Sequence, residues 1–204
     1  MEFTMKKMAR LGLAAAALGF IAAAQVAPTG SVAVAQANGL VDTDPMDDAF
    51  VQLNDVVHPD KDTFTIRGRV SCETGENPVA DGDANGVTVT ALQSSAPTPP
   101  FPLYTPVKSK TFTGEQCRAI VNGRSLYCKD PADGSFFRLR RSSSPTRFRV
   151  NTVVRRQEFE IGKPYQVPLA GDVLFSQFHW FGETELPLCR VTHNGERTTC
   201  RTKN

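Results

Sequence analysis

One twelve-residue pattern occurs twice in this chain and constrains its fold more than any other feature. The copies are CRAIVNGRSLYC at residues 117–128 and CRVTHNGERTTC at residues 189–200. Both carry Asn-Gly at the centre, at 122–123 and 194–195. Asn-Gly favours the left-handed backbone of a two-residue type I′ turn, which is the commonest tight link between antiparallel strands. The pattern therefore predicts two β-hairpins.

The cysteines that end each copy fall opposite one another when residues are counted outward from the turn. This pairs Cys117 with Cys128 and Cys189 with Cys200, at a separation that a disulfide can bridge. We therefore expect each hairpin to be locked by its own disulfide. The fifth cysteine, Cys72, is then a free and buried thiol. Mixed pairings stay open, because spacing alone does not fix connectivity.

The first 37 residues are typical of a secretory signal. Three basic residues precede an apolar run over 11–24, which is short for a membrane-spanning helix, and AQA at 35–37 is a cleavage motif. No later run predicts a transmembrane segment. We expect the mature chain to be exported to the periplasm or to the extracellular space, where disulfides persist.

Alternating apolar and polar residues predict strands along the remaining chain. The clearest case is 63–72, in which Phe64, Ile66, Val70 and Cys72 share the inward face. Loops are predicted over 73–86 and 94–106, and no helix is predicted. Further strands are predicted over residues 87–92, 107–113, 135–141, 146–155, 165–169 and 173–181.

These short strands predict an all-β fold, an antiparallel β-sandwich or barrel that carries the two disulfide-locked hairpins. We assign residues 63–204 to this single domain. Residues 38–62 are interpreted as an acidic lead-in, of which 38–48 is solvated and 49–57 is a candidate first strand.

Four short motifs carry a resemblance to a known family: GRV at 68–70, PV at 78–79, GVTV at 86–89 and DGSF at 133–136. Together they resemble the carboxypeptidase-regulatory-like, transthyretin-like sandwich modules of secreted bacterial proteins. The chain departs from that pattern through proline-rich and cysteine-paired inserts. The resemblance implies an Ig-like sandwich with an accessory or adhesive role, and it brings no catalytic residues.

No recognised catalytic motif occurs in the sequence, neither a nucleophile elbow, nor His-Glu-x-x-His, nor a phosphate-binding loop. The three histidines, His58, His179 and His193, show no metal-ligand spacing. Glu158 and Glu160 lie two apart on an apparent strand, which is more typical of a solvated face than of an acid–base pair. We predict a protein that is not an enzyme and has no cofactor. A secreted hydrolase with unrecognised carboxylates is an alternative.

The segment DGDANG at 81–86 resembles the start of a calcium loop. The match ends there, because Leu92 stands where an EF-hand needs glutamate. Turn chemistry explains these residue types without a metal. We predict no metal site, with Asp81, Asp83 and Asn85 as weak candidates.

The formal net charge of +2 conceals a division along the chain. Residues 38–100 carry three basic and eleven acidic side chains, and residues 101–204 carry seventeen basic and nine acidic ones. The two halves are therefore of opposite sign and similar magnitude, and each could neutralise the other within the fold.

Five arginines fall on the outward positions of two predicted strands: Arg138, Arg140, Arg147, Arg149 and Arg155. One interpretation is an anion-binding sheet face for an anionic glycan or a lipid headgroup, with nucleic acid less favoured. The other, which we favour at this point, is a face neutralised by the acidic half of the chain. The leading hypothesis is an exported, non-enzymatic surface or envelope module with a binding or structural role; polyanion binding through these arginines is the alternative.

Overall fold

The computed structural model describes residues 43–55, 61–96, 103–159, 163–185 and 188–202. Helix α1 spans Pro78–Asn85, and a 3-10 helix spans Gly114–Gln116. The strands, in chain order, are β1 Thr43–Pro45, β2 Asp47–Asn54, β3 Thr63–Ser71, β4 Val87–Ala96, β5 Leu103–Phe112, β6 Cys117–Ile120, β7 Ser125–Lys129, β8 Phe136–Arg141, β9 Arg147–Arg155, β10 Leu169–Leu174, β11 His179–Glu183, β12 Arg190–Thr192 and β13 Arg197–Arg201. The predicted signal at residues 1–37 lies outside the described residues.

The strands form two sheets. One has five strands in the order β1-β11-β10-β4-β5, and the other has eight in the order β12-β13-β2-β3-β9-β8-β7-β6. Neighbours are antiparallel except for β1 and β11, which are parallel. Large side chains from both sheets are buried between them, among them Trp180, Phe64, Phe112, Phe137 and Phe148. The all-β prediction is confirmed, and the sandwich is the architecture that forms.

The two disulfide-locked hairpins lie at opposite edges of the eight-stranded sheet. Cys117–Cys128 joins β6 to β7, and Cys189–Cys200 joins the start of the β12–β13 hairpin to its end. The predicted pairing is confirmed, and Cys72 is free as predicted. Each edge of this sheet is therefore a covalently closed hairpin rather than a single loose strand.

The hairpin turns fall where the Asn-Gly pairs predict them. In the first, the N–H of Arg124 donates to the carbonyl of Val121 at 3.1 Å. In the second, the N–H of Glu196 donates to the carbonyl of His193 at 3.0 Å. Asparagine and glycine have positive φ in both turns, and so does the residue before them. The two copies of the pattern therefore fold alike, which follows from their shared residues.

The predicted burial of Cys72 is wrong. Strand β3 ends at Ser71, so Cys72 leaves the alternation and is only half-buried, with its N–H donating to the carbonyl of Thr146 at 2.9 Å. Partial burial, together with the nearby Glu76 carboxylate, raises the pKa of the Cys72 thiol. The reactive thiolate is therefore disfavoured.

Helix α1 contradicts the predicted loop over 73–86 and the absence of any predicted helix. The Asn77 side chain caps the helix by accepting from the N–H of Ala80 at 3.3 Å, and Pro78 occupies the first turn. The helix packs close to the core, since a Cβ on Gly82 would lie 2.2 Å from Leu126 Cδ2. A sequence that is poor in helix formers is helical here because its tertiary contacts override propensity.

In the described part of residues 38–62, the candidate strand over 49–57 is confirmed in β2, whereas the solvated lead-in over 38–48 is wrong. Residues 43–45 form β1 of the five-stranded sheet, and 47–54 form β2, an interior strand of the eight-stranded sheet. Met46, between them, is 4% exposed and its N–H donates to the carbonyl of Phe181 at 2.8 Å. The chain therefore crosses from one sheet to the other at Met46, and the sandwich begins before residue 63.

Three predicted boundaries shift. The loop predicted over 94–106 contains the end of β4 and the start of β5, because prolines at a sheet edge do not interrupt pairing on the other side of the strand. Of the strand predicted over 165–169, only Leu169 is in a strand. The strand predicted over 173–181 is two strands, β10 and β11, joined by a bend.

Candidate functional site

The outward side chains of the eight-stranded sheet form one strongly basic surface, here called the arginine face. Alternation along β8 and β9 buries Phe137, Leu139, Phe148 and Val150 and turns the intervening arginines outward. The face carries twelve exposed basic side chains: Arg67, Arg69, Arg118, Arg138, Arg140, Arg147, Arg149, Arg155, Arg190, Arg197, Arg201 and Lys129.

The five arginines singled out from the sequence all lie on this face, where β8 pairs with β9. Sequence reasoning missed the arginines that other strands add. Arg67 and Arg69 were visible as outward positions of one strand, but the pairing of β3 with β9 was not. Arg197 and Arg201 join the face only because β13 pairs with β2.

Direct ion pairs offset little of the charge on the arginine face in the described part of the chain. Asp48 accepts from Arg69 Nε at 2.7 Å, and in the described part of the chain no other arginine of the face makes an ion pair. Self-neutralisation of the face by carboxylates at longer range stays a prediction. Asp47, opposite Arg69 in the strand register, and Asp48 lie at this face, whereas Asp81 and Asp83 lie on α1.

Two adjoining grooves cross this face and meet at Phe50 and Arg201, which line both. The larger, of about 630 Å³, is also lined by Arg190, Arg197 and the second disulfide hairpin. The smaller, of about 450 Å³, is also lined by Arg67, Arg69, Arg149, Asn151 and Asp48. Among the described residues that line the two grooves, Asp48 is the one that carries a carboxylate.

The guanidiniums around Phe50 are positioned by uncharged groups. Arg67 lies over the Phe50 ring, 5.5 Å from its centre, and its Nε donates to Asn151 Oδ1 at 3.2 Å. Arg197 Nε donates to Asn54 Oδ1 at 3.4 Å. Neutral partners hold a guanidinium in place without cancelling its charge. Such groups are suited to bidentate binding of carboxylate, sulfate or phosphate.

The weak calcium candidates bind donors of the protein itself. Asp81 accepts from Ser176 Oγ at 2.5 Å and from Asn85 Nδ2 at 2.7 Å. Asp83 accepts from the N–H of Ala119 at 2.6 Å. Across the described ranges, no three metal-binding side chains converge. These carboxylates fasten α1 to the sandwich.

The two histidines of the described residues, His179 and His193, lie on different sheets. His179 lies on the five-stranded sheet, with Nε2 2.5 Å from Asp172 Oδ1 and Nδ1 2.9 Å from Thr43 Oγ1. The hydrogen bond with Asp172 raises the pKa of His179. His193 is exposed in a hairpin turn of the other sheet, and His58 lies outside the described residues.

One pair of carboxylates in the described residues, Asp130 with Asp133, does not have the character of a hydrolase's acid–base pair. Asp130 and Asp133 converge, but each accepts from Lys110 Nζ, at 2.6 and 2.7 Å. The hydrogen bond from Lys110 lowers the pKa of Asp130, whereas a general acid needs a raised one. Glu158 is exposed and Glu160 lies outside the described residues.

The aromatic cluster near the C-terminal end of the chain belongs to the core. Phe175, Phe178 and Trp180 are at most 5% exposed and contact one another, while Phe181 is half-buried. The Trp180 indole N–H donates to the carbonyl of Ser71 at 3.1 Å, which ties the two sheets together. These three buried side chains are therefore part of the core and not an exposed ligand platform.

Comparison with known protein families, with curated proteins and with solved structures finds no match to this chain. Among the described residues, no helix has the length and apolar character needed to cross a membrane.

Proposed function

We propose that this protein is an exported, non-enzymatic binding module that holds a polyanion against its arginine face. One observation carries the proposal: eleven arginines and Lys129 are exposed on one sheet face, and within the described residues a single ion pair, Arg69 with Asp48, offsets them. Like charges this close repel one another. A bound polyanion supplies the missing negative charge.

The scaffold favours binding over catalysis. The arginines project from paired strands of a disulfide-closed sheet, so their spacing is fixed before a ligand arrives. A preformed surface loses little conformational freedom on binding. The grooves offer guanidiniums, an aromatic ring and the Asp48 carboxylate, whereas a hydrolase that acts through two carboxylates needs a second one beside the first. The disulfides favour an oxidising compartment, which supports export.

The proposal is tested by binding measurements with heparin and with inorganic polyphosphate. Wild-type protein should bind both, with an affinity that falls steeply between low and high salt because the contacts are ionic. Replacing two groove arginines, in the double variant Arg149→Thr/Arg201→Thr, should weaken binding by about tenfold or more, since each charged hydrogen bond contributes about 1.5–3 kcal/mol.

A matched control changes the same charge away from the face. Arg124 and Arg156 are exposed and lie outside the strands. The variant Arg124→Asn/Arg156→Asn should bind nearly as well as wild type. Wild-type protein that binds neither polymer at physiological salt, or equal losses in the two double variants, would refute the arginine face as the binding surface.

A further inference from the structure

One row of residues crosses the arginine face at right angles to the strands, and it is here called the ladder. Its members are opposed pair by pair in the register of adjacent strands, from β13 at one side to β6 at the other. They are Arg201, Phe50, Arg67, Asn151, Arg138, Tyr127 and Arg118.

Charged and uncharged side chains alternate along the ladder. Arginines stand on β13, β3, β8 and β6, and an uncharged residue stands on each strand between them. Adjacent strands are about 4.8 Å apart, so successive arginines are separated by about 9.6 Å and the ladder is about 29 Å long. Along the ladder the cations are therefore periodic, and the neighbouring row of the face places Arg69, Arg149 and Arg140 on three consecutive strands.

The uncharged positions of the ladder include two aromatic side chains. The half-buried Phe50 ring lies beneath Arg67, and the half-buried Tyr127 ring stacks on Phe136 with centres 6.4 Å apart. Between them, Asn151 accepts from Arg67 and keeps the row polar. Rings held against a sheet offer flat surfaces to the apolar face of another ring.

Building on the proposed function, we infer that the ladder binds an acidic polysaccharide whose anionic groups stand on alternate sugar rings. The spacing of successive arginines is close to the length of two linked pyranose rings. Carboxylates or sulfates of the charged rings bind Arg67 and Arg138 bidentately. The intervening rings stack on Tyr127 or hydrogen-bond to Asn151, since Arg67 already covers the Phe50 ring.

The same geometry disfavours two other polyanions. Nucleic acids carry a charge on every unit, whereas the ladder has a cation on every second strand. Adjacent strands twist by about 20–25°, so the side chains at the two ends of the ladder point in directions more than about 90° apart. A planar membrane cannot contact both ends, but a polymer chain can follow the twist.

The test compares two double variants with equal changes in charge. Arg67→Thr/Arg138→Thr removes two ladder positions, and Arg147→Thr/Arg155→Thr removes two arginines of the same face outside the ladder. Binding to hyaluronan, which carries a carboxylate on every second ring, is measured by calorimetry. The ladder variant should lose about tenfold or more in affinity and the other variant less than about threefold.

Further probes identify the ligand class. Dextran, a single-stranded DNA and vesicles of anionic phospholipid are measured beside hyaluronan, and wild-type protein should prefer hyaluronan. Tyr127→Leu, which keeps the charge and an apolar side chain, should weaken hyaluronan binding but not polyphosphate binding. If the double ladder variant does not fold, hyaluronan binding is measured with the single variant Arg138→Thr in its place.

The outcomes separate this inference from the proposed function. Equal losses in the two double variants, or tighter binding of DNA or vesicles than of hyaluronan, would overturn the ladder while leaving a polyanion-binding face. Wild-type protein that binds no polyanion at all would overturn both.

Discussion

At the scale of single residues, His179 shows how one titrating group fastens the start of the sandwich. It links β10 to β11 through Asp172 and reaches Thr43 of β1. These contacts lie near one edge of the five-stranded sheet, whereas the arginine face belongs to the eight-stranded sheet. The histidine therefore has a structural explanation, and its charge state should affect stability.

Stability should depend on pH through this pair. Asp172 holds the folded-state pKa of His179 above its unfolded value of about 6.5, so the ionic contact stabilises the fold below that pH and is lost as pH rises through the folded pKa. The melting temperatures of wild type and His179→Asn should therefore differ more at about pH 5.5 than at about pH 9. Asp172→Asn should remove the same pH dependence of the melting temperature. The double variant His179→Asn/Asp172→Asn should show no further change in that pH dependence. A difference that is constant across pH would contradict the assignment.

At the scale of elements, the two disulfide hairpins form the two edges of the eight-stranded sheet, where a sheet is most exposed to pairing with another chain. Their cysteines have the same sequence separation, 11 residues. They differ in surroundings, because α1 packs beside β6 whereas β12 is an outer strand on which Val191 is 53% exposed. The hairpins are alike in sequence and unlike in burial.

A comparison of the two disulfide removals should therefore separate the contribution of chain entropy to stability from the contribution of packing. Equal loops predict an equal entropic loss of roughly 3 kcal/mol. Cys117 and Cys128 are both buried, whereas Cys189 is half-buried. Cys117→Ala/Cys128→Ala should lower the free energy of unfolding by about 1 kcal/mol more than Cys189→Ala/Cys200→Ala, because more buried volume is lost. Urea unfolding measures both, and equal losses would show that packing around the first disulfide contributes nothing.

At the scale of the whole molecule, one sheet face holds most of the uncompensated positive charge in the described part of the chain. Its arginines do not stabilise the sandwich through ion pairs, apart from Arg69. Lys110 is the contrasting case, since its side chain is 15% exposed and bonded to Asp130 and Asp133. Replacing exposed arginines of the face and replacing Lys110 should therefore have opposite effects on the stability of the fold.

Neutralising the face should not destabilise the fold. At about 10 mM salt, where charges interact over about 30 Å, Arg147→Thr/Arg149→Thr should raise the melting temperature or leave it unchanged by relieving repulsion. At about 0.3 M salt the effect should shrink, because screening shortens the range of repulsion. Lys110→Met should lower the melting temperature under both conditions, since it leaves two carboxylates unpaired. A lower melting temperature for the arginine variant at low salt would mean that the chain neutralises its own face.

Much of this protein is readable from its sequence because the relevant information is local. The Asn-Gly turns and the cysteines eleven positions apart determine both hairpins and their disulfides, since a tight turn sets the register of the strands it joins. Alternation likewise determines which side chains of β3, β8 and β9 point outward, because successive residues of a strand face opposite sides. The outward arginines of those strands follow from that period alone.

Only the tertiary structure decided how these pieces combine. Helix α1 depends on Asp81 meeting Ser176 and on Gly82 lying against Leu126, contacts that no local pattern encodes. The order of strands places Arg201 beside Phe50, and Arg67 two strands from Arg138, although these residues are far apart in sequence. Strand pairing between distant segments is selected by burial of the shared core, and hairpin chemistry cannot specify it. The individual arginines were therefore predictable, whereas the face and its ladder were not.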